Sequence, residues 1–520
     1  MAIDISDFTA QDPASSADAN RLTSQKPEAL AAFIGRAARG SLNEPTLVGS
    51  FEEFRRVFGN HGPLGFLSTA VQQFFQHGGR IAAIVRVANN ATRARVDLPA
   101  GGQLLRLHAR EPGSQVVLRA SVDYDGIRAK EERFNLVVQR LARPGSQLVD
   151  DQELFRGLSM IESDEDFVID ALRMSELVQL GGPLPDARPD ATRAEHPGQP
   201  LPYIDMSAPG GDGEELTDYD IVGSNDERTG LFALEDLPRV DLVNIPLLAS
   251  GQDLGVTTFL AAERYCSRRH ATLIWDPPWS WTSAAIALAQ LRGQGIASSD
   301  AMSYFPRVCQ AVSPERHPLG LPAGGAIAGL LAAHDRGEHW RSLDEAPAQL
   351  KGGLVPQAAV DEREARVLKR HGINVLTARH GHGVTLTGNV SMVGANAVSR
   401  LWQRLDRRRL LAHVLKTLEQ QTRWALRAHW GREFERELVG QIGAYLHELY
   451  EAGALAGGRP EQAYFVKIKA AIAGEQGEIV LRFGVALDRS GEFQIYDLIH
   501  RAGGSVARPA PPSELAELAS

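Results

Sequence analysis

From Val240 the chain settles into an apolar run, an amphipathic stretch and a second apolar run, Val240–Leu248, Leu254–Arg268 and Ala271–Trp275. A strand, a helix and a strand of those lengths form a βαβ unit, so this region is predicted to be α/β. Further α/β elements continue to about Val375. The same grammar opens the ordered part of the chain. Ala31–Ile34 reads as a strand, and Ser50 with Glu53 forms a capping box ahead of Phe51, Phe54, Val57 and Phe58 at helical spacing. A second helix is predicted over Leu64–Phe75, stopping at Gly78 and Gly79, before a buried strand from Ile81 to Val87.

Between these two α/β stretches the period changes. After Asn89 and Asn90 come short alternating segments, Gln103–Ala109, Gln115–Tyr124 and Phe134–Arg140, separated by turn residues such as Pro112, Gly113, Asp125 and Gly126. This is a β-rich insertion, closing with a helix near Glu165–Val178 and a Gly/Pro/Asp-rich loop or linker after Gly181. Two amphipathic helices, Arg400–Trp424 and Phe434–Tyr450, precede two alternating strands, Ile479–Leu487 and Phe493–Ile499, joined by a turn at Ser490 and Gly491, and a polar tail. At 520 residues the chain exceeds one core's size, and at least three domains are expected. The fold class is α/β, or α+β mixed, and multidomain. The divisions are an N-terminal arm at 1–28, α/β core at 29–90 and 237–375, the β-rich insertion at 91–180, a linker at 181–236, a C-terminal α/β subdomain at 376–489 and a C-terminal arm at 490–520.

Two cysteines, Cys266 and Cys309, make no disulfide framework and fit a reducing cytoplasm. Met1–Thr23, polar and Asp-bearing, reads as neither a signal nor a transit peptide. The apolar run Ser283–Leu291 falls far short of a membrane span, so no membrane insertion is expected. A net charge of −9 argues against nucleic acid as a partner. The charge is uneven: from Asp205 to Glu227 there are carboxylates and no Lys or Arg, whereas Arg400–Lys416 is strongly basic. Such asymmetry can mark surfaces that meet different partners.

Chemistry is sparse. Asp276, at the predicted carboxyl end of a strand and before Pro277 and Pro278, suits either a ligand crevice or an ordinary turn. Gly320–Gly329 lacks the spacing and lysine of a phosphate loop and reads better as a turn into a small-residue helix that packs closely. His371, His380 and His382 lack the helical pairing, cysteine or carboxylate of a zinc site. No catalytic, metal or cofactor site is assigned. The basic stretch is more informative: Arg400, Arg404 and Arg407 follow i, i+4, i+7 spacing, while Leu401, Leu405, Leu411, Leu415 and Leu418 can face a core. Its cationic face is either solvated or meets an acidic protein partner.

Several separated stretches resemble the contractile tail sheath family of phages, tailocins and phage-like injection systems. Near the start these are Phe33–Gly35, Gly40–Pro45, Ser50–Phe54, Phe58 with Gly59, Phe74–Gly79 and Ile84–Val87. In the insertion they are Ala109–Gly113, Phe134–Leu136 and Glu153–Ser159. In the C-terminal part they are Gly372–Val375, Arg408–Leu410, Thr422–Trp424, Gly453–Leu455 and Ala463–Val466. Their order covers nearly the whole chain.

The resemblance implies a sheath-like core, an outward β-rich domain, a tube-facing C-terminal subdomain and two extended arms. It implies a structural subunit without enzymatic activity or cofactor, which polymerises helically in hexameric rings around an inner tail tube protein and meets baseplate and tail terminator proteins. Contraction of the metastable extended state would drive the tube through a target envelope. Assembly in the bacterial host cytoplasm, as part of a virion tail or released contractile particle, follows from the same likeness. Arg400, Arg404, Arg407, Arg408, Arg409 and Lys416 are then candidate tube contacts, and Phe493, Ile495, Tyr496 and Leu498 lie in an arm strand that joins a neighbouring subunit. The alternatives are an α/β enzyme of unknown reaction around Asp276 and a static capsid or baseplate component.

Overall fold

The computed structural model describes residues 28–59, 65–128, 131–192, 202–311, 320–344, 348–379, 383–396, 400–422, 424–425, 432–472, 478–501 and 504–510. The N-terminal arm up to residue 27, the last ten residues, and His380 and His382 lie outside the described residues.

The first α/β stretch contains β1 (Leu30–Gly35), β2 (Thr46–Val48), α1 (Phe51–Phe58), α2 (Leu67–Gln76) and β3 (Ile81–Arg86). Ser50 Oγ accepts the N–H of Glu53, as its sequence position predicts, but the Glu53 carboxylate reaches back to the N–H of Gly49 rather than that of Ser50. β1 is buried along its whole length, which is why Leu30–Gly35 reads as an unbroken apolar run and not as an alternation. Phe33 packs edge-on against Phe74 of α2 with ring centroids 5.4 Å apart, and burying a side chain of that size contributes about 1.5–3 kcal/mol.

The insertion leaves the core after β3. It holds β4 (Arg93–Ala100), β5 (Gln103–Pro112), β6 (Val117–Asp123), β7 (Arg133–Leu141), β8 (Val149–Ser159), α3 (Val168–Arg173), β9 (Val178–Leu180) and β10 (Ile204–Asp205). Two antiparallel sheets, β4-β5-β9 and β10-β6-β7-β8, enclose a separate apolar core of residues such as Val96, Leu107, Phe134 and Val178. The helix expected over Glu165–Val178 is shorter. Ser175 Oγ accepts the N–H groups of Leu177 and Val178 and turns the chain into β9, a local side-chain bond that competes with the helix.

The acidic segment that follows is no free linker. Thr92 donates to Gly211, Arg95 to Ala208, and Asp212 accepts from Ser114, so its backbone is tied to the insertion before α4 (Asp218–Val222) returns it to the core.

The chain then adds β11 (Leu242–Asn244), α5 (Val256–Arg269), β12 (Thr272–Ile274), α6 (Ala284–Gln294), β13 (Ala301–Met302), β14 (Tyr304–Phe305) and β15 (Val308–Gln310). After these come α7 (Gly324–Asp335), β16 (Gln349–Leu350), β17 (Leu354–Pro356), α8 (Glu362–Arg370), β18 (Asn374–Arg379) and β19 (Gly383–Thr387). The central sheet has the order β13-β12-β11-β1-β3-β2, parallel except for β2. Ala32 pairs with Val243 on one side and Ala83 on the other, so two parts of the chain separated by the insertion close into one sheet.

The C-terminal part comprises α9 (Arg400–Gln403), α10 (Leu405–Gln421), α11 (Arg432–Glu451), α12 (Pro460–Ala463), β20 (Tyr464–Ile472), β21 (Glu478–Ala486), β22 (Phe493–Arg501) and β23 (Gly504–Pro509). The helix expected from Arg400 onward breaks at Arg404, whose backbone is extended, and restarts where Asn389 Oδ1 accepts the N–H of Asp406. The last four strands form an antiparallel sheet in sequence order. One of its faces packs on α10 and α11 through Leu481, Phe483, Leu498, Leu446 and others, a third apolar core distinct from that of the central sheet.

The expected arm strand is placed differently. β22 is an interior strand, with Ile495 opposite Gly484, and Tyr496 and Leu498 paired both to β21 and to β23. The backbone around Phe493, Ile495, Tyr496 and Leu498 is therefore used within the chain, and the sheet's edges are β20 and β23.

Candidate functional site

The basic helix lies against the amino-terminal end of the central sheet. Asp241 immediately precedes β11, Asp300 precedes β13, and Asp335 ends α7. Each is a buried carboxylate, and each takes a cation from α10. Both Nε and Nη2 of Arg408 lie 2.6 Å from Asp300 Oδ1. Arg409 Nη2 lies 2.6 Å from both oxygens of Asp335. Lys416 Nζ is 2.9 Å from Asp241 Oδ1 and donates also to the carbonyl of Val240. Burial lowers the Lys416 ammonium pKa, and the Asp241 carboxylate opposes that fall. One turn beyond Arg409 on α10 the ring of His413 meets that of His339 edge to face, 4.5 Å between centroids. A charged seam thus joins two apolar cores, and its geometry fixes where α10 sits.

This arrangement corrects the single cationic face expected from sequence. Arg408, Arg409 and Lys416 point into the seam, with side chains no more than 11% exposed. Arg400 is exposed on α9. Arg404 is 39% exposed and bridges Asp406 and Asp488 at 2.6 and 2.8 Å, while Arg407 sits beside Asp406 and donates to the carbonyl of Ala454. The spacing i, i+4, i+7 fails here because the helix is interrupted at Arg404. The acids that complete the seam were not singled out from sequence. Asp241 carries a signal, a lone carboxylate between Val240 and Leu242 that requires a partner, whereas Asp300 after two serines and Asp335 between His334 and Arg336 carry none.

At the opposite, carboxyl end of the sheet the crevice is filled. Asp276 is buried and accepts the N–H of Gly324 at 2.8 Å and the amide of Asn244 at 3.2 Å. Burial pushes its carboxyl pKa up to about 6, against the pull of those hydrogen bonds. It serves the first turn of α7, whose preceding residue supplies no side-chain cap. The glycines of that helix allow close packing: a Cβ on Gly325 would lie 2.0 Å from the carbonyl oxygen of Ala70, and one on Gly329 2.3 Å from that of Phe74. His371 ends α8, with Nδ1 2.9 Å from the Val367 carbonyl and Nε2 2.6 Å from Arg292. Among the described residues no group of three or more His, Cys, Asp or Glu could hold a metal ion, and no helix is long and apolar enough to cross a membrane.

No family model and no curated protein matches the chain. Solved structures do. The sheath tail protein Lin1278 of Listeria innocua aligns with a TM-score of 0.63 over 96% of this chain and 99% of its own, at 11% identity. This is the sheath-protein fold. The sheath tail protein DSY3957 of Desulfitobacterium hafniense aligns with a TM-score of 0.56 over 92% of this chain and 99% of its own, at 12% identity. The PVC sheath complex in contracted state, from an extracellular contractile injection system, aligns with a TM-score of 0.53 over 91% of this chain and 92% of its own, at 15% identity. The sheath fold therefore extends across the insertion and the C-terminal sheet as well as the α/β core.

Proposed function

We propose that the protein is the structural subunit of a contractile tail sheath, polymerising helically around an inner tube in a metastable extended state and contracting to drive the tube through a target envelope. The observation that carries this reading is the correspondence of more than nine-tenths of the chain with several sheath proteins, one of them in a contracted assembly. The engagement of Asp276 with the first turn of α7 weighs against the enzyme alternative centred on it. Energy is then stored in the lattice: contraction gains contacts between subunits that the tube-bound state lacks, and no nucleotide is consumed.

In this reading the partners are further copies in hexameric rings, a tail tube protein, and baseplate and terminator proteins, assembled in a bacterial host's cytoplasm. The insertion at 91–180 faces outward and the helical side of the C-terminal subdomain faces the tube. Arg400 with the outer parts of Arg404 and Arg407 provides the tube contacts, because Arg408, Arg409 and Lys416 are engaged in the seam. Neighbouring subunits join by strand addition at the edges of the C-terminal sheet, β20 and β23, so that connectivity survives large subunit movements; on β23 the Ala507 N–H is already held by Glu419.

Co-expression with a tube protein tests the proposal. Long narrow cylinders that enclose the tube and convert to shorter, wider, empty ones on mild destabilisation are the expected result. Static cylinders of one diameter under all conditions would remove contraction from the account.

A further inference from the structure

The C-terminal sheet carries apolar residues on both faces, and among the described residues the helical layer of α10 and α11 accounts for one of them. In β21 alternate residues Ile479, Leu481, Phe483 and Val485 enter the core shared with α10 and α11. The intervening positions face the other way. On that second face Phe465 lies over Gly484, where a Cβ would come within 2.2 Å of its ring, and meets Phe493 edge-on at 5.2 Å. Phe493, Ile495 and Ile499 are half-buried, and Val506 on the edge strand is 46% exposed. None of these residues belongs to the helical core. The charges there are mainly positive: Lys467 and Arg508 are exposed, Lys469 reaches Asp497 at 3.5 Å, and Asp497 is already held by Arg482 through two bonds of 2.7 and 2.8 Å.

The complementary surface lies on the same chain. Around α4 the segment that lacks Lys and Arg exposes Glu214, Glu215, Asp226 and Glu227. In its middle Tyr219 is 83% exposed, and α4 packs beside α5, whose Val256 and Leu260 are also exposed. Asp218 fixes the two helices together by accepting the N–H of Gly255 at 3.0 Å. An exposed aromatic residue on a segment rich in exposed carboxylates, interrupted only by Arg228 at its end, complements a basic sheet face with an aromatic centre.

We propose that the face of the C-terminal sheet turned away from α10 and α11 docks on the acidic, Tyr219-centred surface of a second copy of this chain. The two patches are different, so the contact is head-to-tail and leaves a free patch at each end, the kind of interface that propagates a ring or helix. This identifies a partner surface for the proposed sheath and rests on that reading.

The test uses the full-length protein and its concentration threshold for assembly, read by sedimentation and electron microscopy. Lys467→Glu with Arg508→Glu, and separately Asp226→Lys with Glu227→Lys, should each raise the threshold at least about tenfold by placing like charges in contact. The chain carrying all four changes should return to within about threefold of wild type, since the pairs are restored in reverse. Tyr219→Ala should raise the threshold without altering the thermal melt of the unassembled protein, which separates loss of contact from loss of fold. Wild-type assembly that is indifferent to both reversals, or reversals that the fourfold variant fails to rescue, would overturn this interface while leaving the sheath reading intact. Failure of the wild type to assemble under any condition would overturn both.

Discussion

Arg409 and Asp335 form a buried ion pair that ties the C-terminal helical layer to the end of α7 in the α/β core, with one guanidinium nitrogen 2.6 Å from each carboxylate oxygen. The side chains are 7% and 1% exposed, so neither charge regains its solvation if the other is removed. Arg409→Met is expected to destabilise the protein by about 3–5 kcal/mol, whereas Arg409→Met combined with Asp335→Leu should recover most of that loss. Denaturant unfolding of the two variants checks the pair. Equal losses would show that the cost comes from packing rather than from a stranded carboxylate.

The contact between α2 and α7 predicts opposite effects for two glycines in helices. Gly325→Ala drives a methyl against the carbonyl of Ala70 and should cost about 1–3 kcal/mol or more. Gly440→Ala in α11, where a Cβ meets nothing within 4 Å, should stabilise by up to about 1 kcal/mol through helix propensity. Thermal melts of the two variants should move in opposite directions.

Much of this was legible in the sequence. The βαβ run after Val240, the strands β5, β6 and β7 of the insertion and the close-packing small-residue helix are set by local apolar period and by glycine, both properties of the chain itself. The cationic stretch was legible as charge but not as geometry, because Asp241, Asp300 and Asp335 are brought to α10 only by tertiary folding. The interior position of β22 was hidden for another reason. Gly504–Pro509 carries few apolar side chains and reads as a tail, yet it is held to β22 by backbone pairing, which no side-chain pattern reports.

His77 sets a pH dependence. It is buried at the end of α2, its Nδ1 2.7 Å from the Gln73 carbonyl and its Nε2 accepting the N–H of Lys351 at 2.8 Å. Burial lowers its pKa below the ordinary 6.5, with the Gln73 hydrogen bond opposing. The folded chain therefore binds this proton less tightly than the unfolded one. Its contribution to stability is full above pH 6.5 and is lost as the pH falls below that value. His77→Gln should flatten the acid side of the stability profile, measured as unfolding midpoint against pH. An unchanged slope would assign the acid sensitivity to other groups.

Arg400 and Arg408 should separate tube binding from folding. Arg400 is exposed, and Arg400→Glu should leave the thermal melt unchanged while weakening co-sedimentation with a tube protein. Arg408→Glu places a carboxylate against Asp300 and should lower the melting temperature before any assembly is attempted. Co-sedimentation that survives Arg400→Glu unchanged would take α9 out of the tube contact.

Removing 490–520 would strip an interior strand from the C-terminal sheet, so the informative truncation ends the chain before Gly504 and removes only β23 from the edge. That variant keeps β20 and gains β22 as edges but loses β23 with Val506 and Arg508, and its concentration threshold for assembly should rise. Assembly at the wild-type threshold would exclude β23 as a joining strand.

The most direct measurement of the central claim is negative-stain electron microscopy of the purified full-length protein as its concentration is raised. Hollow, helically striated cylinders wide enough to enclose a second protein tube are the predicted result. A population of monomers alone, with and without a tube protein, would contradict it.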